Sequence, residues 1–301
     1  MLQQYHIPVL PNESIYGLNI RQGDDVVDAT FGGGGHSRLI LKLLGEDGRL
    51  FAFDQDEDTA ANVIDDKRFF FIRHNFRYLK NFIRFYDVEN VDSIFADLGV
   101  SSHDFDVPER GFSFRFDGPL DMRMNRSAEK SAATVVNEYT EERLFFIFKM
   151  YGEITNGMQL VSKIIKSRAI SAITTTAQLR EIASTCMPKS IENKYLAQVF
   201  QALRIEVNDE MDALKEFLQS AFDVLKQKGR LVVITYHSIE DRLCKNFMKS
   251  GNFEGKIEKD FFGNMKIPFN VINRKVITPG EEELRNNTRS RSAKLRIAEK
   301  N

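Results

Sequence analysis

A glycine-rich stretch supplies the first residues whose types and spacing could do chemistry. Residues 28–37 read DATFGGGGHS and directly follow a short apolar run. Glycines between a strand and a helix let the backbone approach a ligand closely, and they offer amide donors at the start of the helix. A tight strand-to-helix turn without a ligand is the alternative. The stretch lacks the Lys-Ser/Thr ending of a P-loop, and its glycines do not clearly reproduce G-x-G-x-x-G.

Asp54 is the second candidate. It comes directly after the apolar run RLFAF and lies 22 residues beyond Gly32. An acid at this position of a nucleotide-binding α/β domain accepts hydrogen bonds from ribose hydroxyls, in nicotinamide dinucleotides and S-adenosylmethionine alike. A solvated carboxylate within the acidic run DQDED is the alternative. Asp54 therefore gains its weight from its combination with the glycine stretch.

Asp97 is the third candidate and begins the sequence DLGVSSH at the end of another apolar run. A carboxylate at the carboxyl end of a parallel strand faces the ligand crevice of an α/β sheet. The amino group of a nucleobase is a poor nucleophile because its lone pair is delocalised into the ring. Methylating it calls for an acceptor that holds the N–H, beside a methyl donor held in line. An aspartate that merely caps the strand–loop turn is the alternative.

The elements that must position these residues alternate between strand and helix. Strands are expected at 25–30, 49–53, 69–74, 91–98 and 230–236, with helices at 37–44, 59–64 and 210–226. A turn is expected at Lys228-Gly229. This alternation predicts a doubly wound, mostly parallel α/β sheet. Its carboxyl edge would bring the glycine stretch, Asp54 and Asp97 together.

Residues 107–207 have a different pattern, with no convincing buried strand. Helical periods occur at 141–150, 157–167, 176–184 and 194–204. The simplest interpretation is a helical domain inserted after the fourth strand, so that 1–106 and 208–301 form one discontinuous α/β domain. The insertion has 14 basic and 11 acidic residues, and the tail 285–301 has six basic residues and one acidic residue. The last part of this tail, KLRIAEK, fits an edge strand.

Composition excludes several classes. The chain has 301 residues, 42% of them hydrophobic and 28% charged, which is typical of a folded protein rather than a disordered one. Two cysteines without CxxC spacing argue against a disulfide scaffold and a cysteine-ligated zinc site, and they suit the cytoplasm. No signal peptide or membrane span is expected. The net charge of −1 limits any nucleic-acid contact to local patches.

A family resemblance runs along nearly the whole chain. In order, it is carried by HIPVL (6–10), DATFGGGGHS (28–37), DLGVSS (97–102), RGFSF (110–114), DGPLDMRM (117–124), FQALRIEVNDE (200–210), YHSIEDR (236–242) and RSRSAKLR (289–296). Together these motifs resemble the bacterial ribosomal RNA small subunit methyltransferase H family. RGFSF with DGPLDMRM is the most specific part, because generic methyltransferases lack it.

The resemblance implies a class I, Rossmann-like methyltransferase domain that binds S-adenosyl-L-methionine. Gly34, Gly35 and His36 would line the methionine part of this cofactor, although His36 could instead cap a helix. Asp54 would hold the ribose, and Phe76 would pack on the adenine. Asp97 would lie beside the amino-acid moiety and the reacting centre. Asp104, which also falls among the cofactor-binding positions, stands where the family usually has Gln, and a carboxylate cannot donate the amide hydrogen bonds.

The implied activity is N4-methylation of one decoding-site cytidine in 16S rRNA, with Asp97 as the catalytic residue. Side chains expected to contact this substrate are Ser101, Ser102, Arg110, Phe112, Arg123 and His237. Core packing of Phe112, internal ion pairing of the arginines and a structural role of His237 are the respective alternatives. The expected partner is 16S rRNA in the small subunit or an assembly intermediate, and a homodimer is a further expectation.

Direct transfer of the methyl group is the expected mechanism, without a metal and without a covalent enzyme intermediate. Carbon-5 methylation would need a nucleophilic thiol, but neither Cys186 nor Cys244 lies at a strand end. Three other classes stay open at this point. They are a nicotinamide-dependent dehydrogenase, a methyltransferase that acts on DNA or protein, and a non-catalytic RNA-binding module.

Overall fold

The structure is a computed structural model that describes residues 8–100, 102–259, 261–263 and 267–301. The chain divides into two compact units. We call Met1–Gly99 with Asp212–Asn301 the sheet unit, and Val100–Met211 the helical unit. The predicted insertion, 107–207, lies inside the helical unit. Among the described residues, no helix combines the length and apolar character that crossing a bilayer requires.

The sheet unit is built on seven strands within the described residues. They are β1 (Asp25–Asp28), β2 (Arg49–Phe53), β3 (Phe69–Ile72), β4 (Val91–Asp97), β5 (Leu225–Thr235), β6 (Phe269–Val271) and β7 (Lys294–Lys300). Their order in the sheet is β3-β2-β1-β4-β5-β7-β6. Strands β1 to β5 are parallel to one another, and β7 pairs antiparallel with both β5 and β6. This confirms the predicted doubly wound, mostly parallel α/β fold.

Helices cover both faces of the sheet. They are α1 (Pro11–Leu18), α2 (Gly35–Leu41) and α3 (Leu79–Phe85), together with three later helices named below. Successive strand residues point to opposite faces, so Val26 and Phe95 belong to one apolar cluster and Val27 and Ile94 to the other. Each fully buried Leu or Phe of these clusters stabilises the fold by roughly 1.5–3 kcal/mol.

The helical unit contains α4 (Ser102–Asp106), α5 (Ala132–Glu138), α6 (Glu141–Met150), α7 (Gly157–Arg168), α8 (Thr176–Ser184) and α9 (Glu192–Asn208). Its core forms around α9, whose apolar positions recur at helical spacing, and α5, α6 and α8 pack against this helix. The predicted helices at 141–150 and 176–184 are confirmed to the residue. Those expected at 157–167 and 194–204 exist and are longer than predicted.

The chain returns to the sheet through α10 (Glu210–Val224), and α11 (Ser238–Ser250) and α12 (Glu281–Asn286) follow. The predicted turn at Lys228-Gly229 is wrong. The fifth strand already begins at Leu225, and its pairing register with β4 shifts between Val91 and Ser93, where residues 226–229 of β5 lie opposite the single residue Asp92 as a bulge. Lys228 takes a positive φ of 65° in this bulge. A bulge and a turn share this sequence signature, since both need a residue in the left-handed region.

Three further expectations need correction. The helix expected at 59–64 is a 3₁₀ helix over Glu57–Asn62. The tail segment KLRIAEK is a strand, but it is not the edge, because β6 pairs with its outer side. The strand β6 was not predicted at all. With only three residues, it is too short to show an alternating pattern.

Candidate active site

The candidate site lies at the carboxyl edge of the parallel strands. β2, β1 and β4 are adjacent in the sheet, and the strand order reverses direction at β1. Crevices at such a reversal are where open α/β sheets bind ligands. Asp28 ends β1, Asp54 follows β2 and Asp97 ends β4. The expectation that these strand ends meet at one edge is confirmed by the topology.

The glycine stretch forms a tight loop between β1 and α2. Gly34 adopts a left-handed φ of 73°, and its N–H donates to the carbonyl of Phe31 at 2.8 Å. A Cβ at Gly34 would lie 2.5 Å from Nη1 of Arg38 and 2.9 Å from the Phe31 ring. Only glycine therefore fits there without displacing its neighbours. The loop consequently presents backbone rather than side chains at this position.

Asp54 is tied directly to the glycine loop. Its Oδ2 accepts the N–H of Gly32 at 2.8 Å, and its Oδ1 accepts the N–H of Asp56 at 2.9 Å. Burial raises the pKa of Asp54 to about 6, although both amide hydrogen bonds act in the opposite direction. An ionised carboxylate has about four acceptor positions, so Asp54 can still accept hydrogen bonds from two hydroxyl groups of a ligand.

Asp28 stabilises the glycine loop through hydrogen bonds, a role that the sequence analysis did not assign. Its side chain is fully buried, and it accepts the hydroxyl of Ser37 at 2.6 Å and the N–H of Thr30 at 3.1 Å. Burial raises its pKa to about 6. The hydroxyl of Thr30 in turn accepts the N–H of Asp97 at 2.7 Å. The ends of β1 and β4 are thereby joined through side-chain hydrogen bonds.

His36 points into the protein. Its Nε2 lies 2.9 Å from the carbonyl of Val9, and its ring packs 4.3 Å from the ring of Phe95. Beside it, a Cβ at Gly35 would meet the Pro8 ring at 3.2 Å. The described part of the HIPVL motif therefore packs against the glycine loop. The imidazole is engaged in these contacts, so the main chain is the part of His36 that can face a cofactor.

Phe76 lies in a 3₁₀ turn, Phe76–Tyr78, after β3. Asn75 positions this turn, because its Nδ2 donates to Gln55 at 2.9 Å and its Oδ1 accepts the N–H of Arg77 at 2.9 Å. The Phe76 ring packs edge-on against Phe217, with centroids 5.1 Å apart, and stays partly exposed. Phe76 and Asp54 thus follow neighbouring strands, β3 and β2, and Gln55 connects their loops.

Asp97 is held by a tyrosine that the sequence analysis passed over. The hydroxyl of Tyr236, directly after β5, donates to Oδ1 of Asp97 at 2.8 Å. Within the described residues, Oδ2 of Asp97 accepts no hydrogen bond. Burial raises the pKa of Asp97 to about 7, the hydrogen bond from Tyr236 lowers it, and the charges of Asp28 and Glu240 raise it. Asp97 is thus poised to exchange a proton near neutral pH.

His237 caps α11. Its Nδ1 accepts the N–H of Glu240 at 3.4 Å, while Oε2 of Glu240 accepts the N–H groups of Tyr236 and His237 at 3.0 and 3.3 Å. This reciprocal arrangement is a capping box. Asp241, further along α11, is held by Arg296 through two hydrogen bonds of 2.8 and 3.0 Å. The geometry therefore supports the structural alternative for His237.

In the helical unit, Asp104 and Arg110 form a buried ion pair. Their side chains are almost fully buried, and Arg110 Nη2 lies 3.5 Å from Asp104 Oδ1. The same Nη2 donates to the carbonyls of Arg123 and Met124 at 3.1 and 3.3 Å. Both residues are thus engaged inside their own unit, which favours internal ion pairing over phosphate contact for Arg110. The cofactor contact of Asp104 stays a prediction.

Of the remaining substrate candidates, Phe112 and Arg123 have described side chains, and Ser101 and Ser102 do not. Phe112 is only 4% exposed and belongs to the core of the helical unit, as its packing alternative expected. Arg123 forms a two-bond pair with Asp121, at 2.8 and 2.7 Å. Ser101 lies outside the described residues, and the side chain of Ser102 is likewise not described. For these two serines, substrate contact stays a prediction.

The residues that the sequence analysis missed have weak sequence signals. Asp28 and Thr30 lie within the DAT run, where an acid and a hydroxyl in a strand end are common. Tyr236 begins the YHSIEDR motif, but an aromatic residue after a strand usually indicates core packing. Only the pairing of β4 with β5 brings Tyr236 to Asp97 across 139 residues of sequence.

Comparisons with known proteins show what this chain is similar to. A model of the MraW methylase family matches residues 3–301. Ribosomal RNA small subunit methyltransferase H of Phocaeicola vulgatus is 60% identical over 298 residues, which cover 99% of this chain and 98% of that protein. Its namesake from Bacteroides thetaiotaomicron is 60% identical over 296 residues, with 98% and 97% covered. The crystal structure of an rRNA methylase from Streptococcus thermophilus aligns over 100% of this chain and 98% of its own, with a TM-score of 0.44 and 11% identity. The chain belongs to the MraW methylase family.

Proposed function

We propose that this protein transfers a methyl group from S-adenosyl-L-methionine to the N4 amino group of a decoding-site cytidine in 16S rRNA. The observation that carries the proposal is the state of Asp97. Its carboxylate ends β4 at the ligand edge, one oxygen is fixed by Tyr236, and the pKa is raised to about 7. The other oxygen accepts no hydrogen bond from the described residues. This is the environment that an acceptor for an amino proton needs.

The sheet unit has a donor and acceptor set that fits the cofactor. Asp54 has acceptor positions left for two ribose hydroxyls, and the partly exposed ring of Phe76 offers an apolar surface for adenine. Gly34, where a Cβ would collide with Arg38, can offer only its backbone to a ligand. The proposal assigns Gly34, Gly35 and the main chain of His36 to the methionine part. When bound, the cofactor supplies a methyl group on a positively charged sulfur, which leaves as a neutral thioether.

Asp97 would handle the proton of the substrate amine. Its carboxylate accepts an N–H hydrogen bond, which localises the nitrogen lone pair for attack on the methyl carbon. Bound S-adenosyl-L-methionine would supply the methyl group that the nitrogen takes up, and the proton that the amine loses would pass to Asp97 or to water. A cytosine stacked in RNA cannot reach a buried strand end, so the base must turn out of its helix. Metal chemistry is not required by this scheme.

The two cysteines favour nitrogen over carbon as the methylated atom. Carbon-5 methylation of cytosine needs a thiolate that attacks the base. Cys244 is fully buried in α11, and burial raises the pKa of its thiol well above the usual range. Cys186 is also buried, in the helical unit. Neither thiol is therefore suited to form the adduct, whereas Asp97 suits direct transfer to an amine.

The helical unit is proposed to recognise RNA. Inside it, Arg115 and Phe116 are both exposed, whereas Arg110 and Phe112, a few residues earlier, are buried. An arginine pairs with phosphate and an exposed aromatic ring stacks on a base. We therefore assign the RNA contact to Arg115 and Phe116 first. Cytoplasmic location and a homodimer stay predictions of the sequence.

The test is methyl transfer from labelled cofactor to small ribosomal subunits that lack the modification, followed by mapping of the labelled nucleotide. We expect one labelled cytidine in the decoding site, with the label on N4. Asp223→Asn is the matched control, because this carboxylate lies on the surface of α10 and pairs with Lys80. Label on carbon 5, on another nucleotide or on protein would contradict the proposal.

A further inference from the structure

The contact between Tyr236 and Asp97 has a directional consequence. Tyr236 donates to one carboxylate oxygen, Oδ1, at 2.8 Å, while the backbone N–H of Asp97 donates to Thr30 at 2.7 Å. The carboxylate is thus fixed at its main chain and at one oxygen. Rotation about its last bond would break the Tyr236 hydrogen bond. Oδ2 is the oxygen left to meet a substrate amine among the described contacts.

The charges around Asp97 oppose its ionised form. Asp28 faces it from β1, Glu240 from α11 and Glu283 from α12, and all three raise its pKa after burial has done so. His237, the next residue after Tyr236, lies 3.0 Å from Glu240 through its Nε2. Tyr236 is the group that acts in the opposite direction, because its hydrogen bond favours the carboxylate. Its own pKa is raised well above the usual range, so the phenol keeps its proton at neutral pH.

We propose that Tyr236 is the positioning residue of the methyl transfer: its hydroxyl orients the Asp97 carboxylate and keeps it in the form that accepts a proton. This inference rests on the proposed function for its catalytic consequence. It adds a residue that acts through its hydrogen bond to Asp97. Tyr236 and Asp97 belong to different motifs, YHSIEDR and DLGVSS, and this role explains why the two motifs need each other.

The first test is Tyr236→Phe, which removes the hydroxyl and keeps the ring. A hydrogen bond to a charged group shifts the pKa of its acceptor by about one unit. We expect the acidic limb of the rate–pH profile to move up by about one unit. The transfer rate should fall by at least about fivefold at pH 7. It should rise with pH but stay below the wild-type rate at pH 9, because the ionised carboxylate is then no longer oriented by the hydroxyl. Cofactor affinity, measured by calorimetry, should not change. An unshifted acidic limb would overturn the inference.

A second readout does not need RNA or turnover. Infrared titration of the folded protein, with Asp97→Asn as the reference for band assignment, reports the protonated Asp97 carboxyl directly. We expect its midpoint to rise by about one pH unit in Tyr236→Phe, and an equal midpoint in both proteins overturns the inference. Because this readout involves no substrate, it decides the role of Tyr236 even if the wild-type protein fails to methylate small subunits.

Two further proteins guard against trivial explanations. Tyr139→Phe is the matched control, since Tyr139 donates to Glu206 at 2.9 Å in the helical unit. It should leave the acidic limb in place, and a shift equal to that of Tyr236→Phe would contradict a specific role.

If Tyr236→Phe fails to fold, 3-fluorotyrosine placed at position 236 keeps the hydroxyl and makes it a stronger donor. The acidic limb should then move down, and no movement overturns the inference.

Discussion

The carboxylates at the ligand edge of the sheet unit and the arginine-paired carboxylates of the helical unit have opposite environments. At the ligand edge of the sheet unit, Asp28, Asp54 and Asp97 are met by hydroxyls and backbone amides, and burial raises their pKa values to about 6, 6 and 7. In the helical unit, Asp104, Asp121, Glu206 and Glu210 are paired with arginines. Although burial raises the pKa of Asp121, the hydrogen bonds from Arg123 lower it overall.

The difference separates carboxylates that stabilise the fold from carboxylates that can exchange a proton. A carboxylate paired with arginine is fixed as an anion and contributes to a stable arrangement of its neighbours. A buried carboxylate without a cation destabilises the folded protein at neutral pH, but it can exchange protons there. At the ligand edge of the sheet unit, buried carboxylates therefore lower the stability of the folded protein at neutral pH, whereas the arginine pairs of the helical unit prevent this loss. Substitutions should therefore have opposite consequences for stability and activity in the two units.

The largest expected effect is on Asp97. Asp97→Asn removes the proton acceptor while its amide oxygen can still accept from Tyr236, so we expect the transfer rate to fall about 1,000-fold. The melting temperature should stay equal or rise, because a buried charge is removed. Radiolabel transfer and calorimetry measure the two quantities, with Asp223→Asn as the control. Near-normal turnover would remove Asp97 from the mechanism.

Arg110→Met should have the reverse signature. It leaves Asp104 buried without its cation, and breaking a buried ion pair from one side destabilises a protein by about 3 kcal/mol. Thermal unfolding should show this as a clear drop in melting temperature. The same substitution at Arg285, whose pair with Glu281 is largely exposed, should change stability by less than about 0.5 kcal/mol. Equal effects at both arginines would show that burial does not distinguish these pairs.

Asp54→Ala should weaken cofactor binding by about 30-fold, since it deletes hydrogen bonds to a charged acceptor. It also leaves the amides of Gly32 and Asp56 without their acceptor, so the glycine loop loses one support. Calorimetric titration with S-adenosyl-L-methionine measures the affinity. Glu57→Gln removes a charge from the same acidic run and should leave the affinity within about twofold. Unchanged binding in Asp54→Ala would separate this acid from the ribose.

The sequence predicts the parts of this site that depend on local pattern. The run RLFAF marks β2 to the residue, and the acid that follows it must lie at the sheet edge once the strands are parallel. The burial of Arg110 cannot be predicted from local sequence pattern. Its motif contains several arginines, and nothing local shows that this one turns inward to Asp104. Sequence separation hides such partners, because the fold and not the spacing brings them together.

The motif YHSIEDR also shows that residue type alone does not predict the role of a side chain. Its histidine attracts attention as a titratable residue at a strand end, yet His237 is a helix cap. The tyrosine before it reads as core filling, yet it holds Asp97. The contact of Tyr236 depends on the register in which β5 pairs with β4, where Ile234 lies opposite Asp97. A pattern read along one strand cannot supply that register.

The smallest expected effect concerns pH and tests the comparison of the two units directly. The folded-state pKa of Asp97 is raised from its ordinary value of 3.8 to about 7. The folded protein therefore binds more protons than the unfolded chain in this range, and the contribution of Asp97 to stability is lost as the pH rises from about 4 through 7. Asp97→Asn lacks this contribution, while all other titrating groups are common to both proteins. The melting temperature of the wild type minus that of Asp97→Asn should therefore fall by several degrees between pH 5 and pH 8.

The corresponding difference for Asp121→Asn should not fall over this interval, because the lowered pKa of Asp121 moves its titration below pH 4. If the two differences run in parallel, the carboxylates of the ligand edge carry no special cost at neutral pH, and the contrast between the units fails.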